Sequence, residues 1–142
     1  MILIILVLFI LSFLVCFYDW NFRRIPNVII ILILIFLLAV VKLLVSGDFS
    51  NFFWLAILVP ILFLVWKVGI WGAGDSKLLL AFFPMINAQY YVATLCFIGL
   101  LGFITTLVFL VYKTVNKKIK FNTVPYGIPI ALSCFLTSIA SF

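Results

Sequence analysis

The chain has 142 residues, 69% of them hydrophobic and only 8% charged, with a mean hydropathy of +1.51. That excludes an ordinary water-soluble domain and places the chain in the membrane class, as one compact unit spanning residues 1–142. Nine Lys/Arg against three Asp give a net charge of +6; the basic residues sit in gaps between apolar runs and build no continuous patch, so they read as topology signals, with anionic headgroups as a secondary partner and no nucleic acid.

Residues 2–18 form the first apolar run. No basic residue precedes it and no small-residue cleavage site follows, so it is expected to remain as a first helix and not to be removed as a signal peptide. It stops at Asp19-Trp20-Asn21-Phe22-Arg23-Arg24-Ile25-Pro26-Asn27. Pro26 and Asn27 are placed to start the next helix, Pro pre-setting φ in a first turn. Runs at 28–45 and 52–68 follow, separated by the polar turn Ser46-Gly47-Asp48-Phe49-Ser50.

A short run, 77–87, comes next, then 91–112 and 124–142. In lipid each run must satisfy its own backbone hydrogen bonds, which predicts an all-α polytopic membrane bundle of about six transmembrane helices. Pro60, Pro84, Pro125 and Pro129 mark kinks or helix starts. Seventeen Phe, five Tyr and four Trp suit lipid-facing packing and interfacial anchoring. Gly99 and Gly102 suggest close helix packing in the fifth run.

Cys16, Cys96 and Cys134 are isolated, read as buried small hydrophobes. With no His, no Glu and no Cys-x-x-Cys, there is almost nothing to ligate zinc or iron, so no metal or cofactor is expected.

The basic residues set orientation. With 19–27 in the cytoplasm, that side collects Arg23, Arg24, Lys67, Lys77, Lys113, Lys117, Lys118 and Lys120. Only Lys42 is left, snorkelling at the outer end of the second run. Both termini then fall on the outer face. Asp19 and Asp75 land together at the cytoplasmic face, and Asp48 lands opposite as a solvated loop residue.

A carboxylate at a helix centre in the membrane costs about 2.5–3.5 kcal/mol and points to function by default. Asp75 sits near an end, where a bland reading as a helix-start residue is available. It lies in Trp71-Gly72-Ala73-Gly74-Asp75-Ser76-Lys77. Gly72 and Gly74 leave the backbone beside Asp75 almost without bulk, free to take positive φ and to let a second strand approach. Two carboxylates meeting across a water can hydrolyse a peptide without metal or nucleophilic side chain. Like charges at close range cannot both ionise, so such a pair shares a proton. Lys77 is placed either to orient substrate and tune Asp75 or to snorkel, and Arg23 and Arg24 read as topology determinants. A small carboxylate-dependent transporter and a non-catalytic membrane subunit or assembly factor are the competing readings.

These segments resemble the type IV prepilin peptidases, the GxGD class of aspartyl membrane proteases. Asp19 followed by Ile25-Pro26-Asn27 is similar to the segment carrying that family's first catalytic aspartate, and Gly72-Ala73-Gly74-Asp75-Ser76-Lys77-Leu78 to the segment carrying the second. Pro125-Tyr126-Gly127-Ile128-Pro129 resembles the proline-glycine segment that opens its last helix. The resemblance implies a multi-pass protein of the cytoplasmic (inner) membrane whose active site faces the cytoplasm. It implies cleavage of the basic leader from prepilin-like proteins, after a glycine and before a hydrophobic helix. The extra cysteine-paired region linked to N-methylation in bifunctional members is not seen, so the chain looks like the short, peptidase-only branch. The sequence sets no oligomeric state.

Overall fold

The computed structural model describes residues 2–44, 50–69, 71–115 and 123–141. Six α-helices run through them: α1 (Ile2–Phe22), α2 (Asn27–Leu44), α3 (Ser50–Lys67), α4 (Ala73–Phe82), α5 (Tyr91–Val115) and α6 (Gly127–Ala140). No strand occurs among the described residues, so the all-α expectation holds. Asp48, Lys117, Lys118 and Lys120 lie outside them.

Two of the helical stretches, Ile2–Phe22 and Ala88–Val115, are long and apolar enough to cross a membrane by length and composition. α4 is not. Its ten residues rise about 15 Å, half of a bilayer core. Pro84, which has no N–H to give and crowds the residue before it, turns the chain into a 3-10 turn over Phe83–Met85.

Two helix ends differ from the run boundaries. α1 continues past residue 18 to Phe22, which places Asp19 in its last turn and not in a loop. The helix stops where Arg23 takes a left-handed conformation (φ 53°), its N–H still donating to the Asp19 carbonyl at 3.1 Å. α4 begins at Ala73, ahead of the apolar run, because Asp75 caps it. The Asp75 Oδ2 accepts from the Gly72 N–H at 3.2 Å.

Helix α6 is the axis of the bundle, packing against α1, α4 and α5, while α2 lies on α1 and α4, and α3 on α4. Its buried face is built from small residues (Gly127, Ala131, Ser133, Cys134 and Ser138) that let backbones come close. Close packing of this kind is what holds helices together where the surroundings are as apolar as leucine. Phe82, Leu78, Leu79, Leu8, Ile33 and Ile130 fill the centre with no exposed surface. Large apolar side chains such as Phe13, Phe63, Leu100 and Phe103 face outward, a surface that water penalises and lipid does not. Of the three cysteines only Cys134 is buried as expected; Cys16 is half-buried, and Cys96 is exposed on α5, where it meets the surroundings of the bundle.

Removing the central ring tests this packing. Phe82→Ala should destabilise the protein by about 3 kcal/mol, the low end for such a cavity because transfer from water contributes little in lipid. Reversible unfolding in mixed micelles measures it.

Candidate active site

Asp19 comes to the site on the last turn of α1 and is only 5% exposed. Its Oδ2 is fully buried and has no hydrogen-bond partner among the described residues. The first turn of α6 abuts it, with the backbone N–H groups of Gly127 and Ile128 directed toward the carboxylate. A helix N-terminus carries partial positive charge, so this is an anion-favouring seat. It exists because residue 127 is glycine. A Cβ there would stand 2.8 Å from Asp19 Oδ2, 2.9 Å from its Cγ and 2.8 Å from Ile25 Cδ1.

Arg23 flanks the same carboxylate. Its guanidinium lies 4.6 Å from the centre of the Phe109 ring and 5.6 Å from that of Trp20, held by two aromatic faces. Its charge acts on Asp19. Arg23, read from the sequence as a topology determinant, is thus also part of the surroundings of the first acid.

Asp75 arrives on the first turn of α4, ahead of the apolar run. Burial pushes its carboxyl up to about 6, the negative charge of Asp19 adds to this, and the Gly72 N–H opposes it. That electrostatic coupling joins two acids far apart in the chain. Gly72 has φ −71°, so the freedom to take positive φ is not used there. Gly74 is helical, and among the described residues the positive-φ glycine is Gly69 (φ 80°), just past α3. What Gly72 supplies is room: a Cβ on it would sit 3.0 Å from Asp75 Oδ2.

Asp19 and Asp75 line one cleft of about 710 Å³. Of the other candidate residues, Gly72, Gly74, Lys77 and Asn27 line it too. Lys77 Nζ reaches across to Asn27 Oδ1 at 3.5 Å, tying the start of α2 to α4. Pro26 stands behind the wall, where its carbonyl accepts the Ile29 N–H at 3.0 Å as α2 begins. Pro125 is buried just before α6, and Gly127 backs Asp19. The cleft also takes in Arg23, Trp71 and Tyr126, which the sequence did not single out as site residues. Trp71 and Tyr126 do border Gly72 and Gly127, and that adjacency was the available signal. Among the described residues no three His, Cys, Asp or Glu side chains gather as a metal site.

A model of the type IV leader peptidase family matches residues 6–111. The chain belongs to the type IV leader peptidase family. The match runs from α1 into α5 and includes both cleft aspartates, while the start of α6 lies beyond it. This leader peptidase is therefore a protease by family, and a prepilin-like substrate is what that family implies. Searches of curated proteins and of solved structures returned no significant match.

Proposed function

We propose that this leader peptidase is an aspartyl endopeptidase of the cytoplasmic membrane. It removes the basic leader from prepilin-like proteins at the cytoplasmic face, with Asp19 and Asp75 sharing one water. The observation that carries the reading is that these two acids, far apart in the chain, line one cleft, where the negative charge of Asp19 helps to hold the proton on Asp75. One carboxylate takes a proton from the water as its oxygen attacks the scissile carbonyl carbon. The protonated partner donates to the carbonyl oxygen. Collapse of the resulting diol breaks the C–N bond, and the abstracted proton passes to the leaving amine. The pair titrates as a unit, Asp75 keeping its proton up to about pH 6.

The cytoplasmic placement and the outward termini rest on the distribution of Lys and Arg, and the six crossings on the six apolar runs. Arg23, Arg24 and Lys77 on the cleft repel a basic leader, so the leader is held through its backbone and not by ion pairs. The whole chain, 1–142, acts as one peptidase domain. The test is a purified prepilin-like protein incubated with the enzyme in vesicles, with the new amino terminus sequenced. A substrate left intact by active-concentration wild type would sink the reading.

A further inference from the structure

Arg23 ends α1 in a left-handed conformation, and among the described residues it is the one non-glycine with positive φ. That backbone crowds a Cβ against the neighbouring carbonyl, so packing and not local preference holds it. What the turn achieves is the placement of a cation. The guanidinium is gripped by Phe109 of α5 and Trp20 of α1, while the residue lines the acid cleft four positions after Asp19. Ring faces take the place of water there, so the charge is less screened than on an open surface.

The two acids therefore stand in different surroundings. Asp19 has the Arg23 cation beside it and the Gly127 and Ile128 N–H groups at the start of α6. Asp75 has the Gly72 N–H, and the Asp19 charge stands against it. Arg23 acts on Asp19, and Asp19 in turn acts on Asp75. The other titratable groups around the pair, among the described residues, are Cys16, one turn before Asp19 on α1, and Arg24, Lys77 and Tyr126 on the cleft wall; α2 brings the neutral Asn27 to it. We propose that Arg23 is a positioning residue that keeps the negative charge of the pair on Asp19, which makes Asp19 the base and Asp75 the acid. The assignment rests on the peptidase reading above and divides its labour. Asp19 takes a proton from the water as the water oxygen bonds to the scissile carbonyl carbon, and Asp75 gives its proton to the carbonyl oxygen. When the diol collapses, Asp75 recovers a proton from a hydroxyl, the C–N bond breaks, and the proton on Asp19 passes to the amine. Both acids end as they began.

Arg23→Met keeps an unbranched apolar stem for the two rings and removes the charge. Arg23→Gln removes it too, with a polar head, and Arg23→Lys restores one. The carbon-13 carboxyl signals of Asp19 and Asp75 are followed in micelles at a pH where the pair holds one proton. In wild type the neutral carboxyl should be Asp75. In Arg23→Met and Arg23→Gln the preference of that proton for Asp75 should fall by about tenfold or more, the effect of a cation beside a carboxylate, and Asp75 should titrate at lower pH than in wild type. A cation acting directly on Asp75 would do the reverse, since its removal would raise Asp75. Cleavage of a prepilin-like protein should lose about tenfold in kcat/KM in both neutral variants, and Arg23→Lys should recover both the cleavage and the Asp75 signal. An Asp75 signal that stays or moves upward without the charge, in an active enzyme, overturns this assignment alone. Arg23→Lys behaving like Arg23→Met would make the role one of packing against the rings and also overturn it. Wild type inert toward every prepilin-like substrate would overturn the peptidase reading, and the roles of base and acid with it.

Discussion

Asp19→Asn and Asp75→Asn should each lower kcat/KM for a prepilin-like substrate by at least about a thousandfold. Asn matches Asp in volume and cannot take or give the proton. At Asp19 the amide fits the same pocket against Gly127 and Ile25, so packing is preserved. At Asp75 the Asn carbonyl oxygen can still accept the Gly72 N–H, so the start of α4 is preserved. The loss is therefore chemical, and both variants should insert and unfold like wild type. Asp48→Asn should cleave at near the wild-type rate. Assay in vesicles, paired with thermal unfolding in micelles, reads both quantities. Wild-type turnover by either cleft variant would remove that aspartate from the mechanism.

Gly127→Ala should be the most damaging change outside the acids, lowering kcat/KM by about a hundredfold. A displacement near 1 Å at a reacting group is enough for that. The added methyl would lie 2.8 Å from both Asp19 Oδ2 and Ile25 Cδ1, closer than any Cβ rests. The start of α6 cannot easily retreat, held by buried Pro125 and Pro129 and by packing against α1, α4 and α5. The carboxylate must move instead. Gly74→Ala is the informative contrast. Its Cβ would stand 3.8 Å from Ile25, an ordinary contact, and alanine is favoured over glycine inside a helix by roughly 0.5–1 kcal/mol. The fold should accept it, with unfolding unchanged or slightly later. Comparable destabilisation of both variants would show that glycine is needed at 74 for a reason other than space.

The helices were legible because long, uniformly apolar runs leave few choices of backbone. Their ends were not. Asp19 through Phe22 reads as interfacial loop by composition, yet helix continues there until Arg23 turns left-handed. Gly72-Ala73-Gly74 reads as a flexible stretch, yet Asp75 reaches back to the Gly72 N–H and makes Ala73 and Gly74 the first residues of a helix. Both acids were visible through scarcity and through the positive-inside argument. The roles of Arg23, Trp71 and Tyr126 were not, since they depend on α1, α4, α5 and α6 meeting at one end of the bundle. Gly127 was noticed as part of a proline-glycine segment. Its contact with Asp19 is a fact of packing that no spacing along the chain could supply.

The pairing of the two acids can be measured without substrate. Three aspartates and no glutamate leave three side-chain carboxyl signals in the whole chain, so carbon-13 labelling of Asp, assigned by the Asn variants, follows Asp75 alone through a pH titration. In wild type Asp75 should titrate at about 6. In Asp19→Asn it should titrate lower, because a neighbouring negative charge is gone, yet stay above an exposed carboxylate, because burial remains the larger influence. An Asp75 titration that is the same with and without the Asp19 charge would contradict the pair.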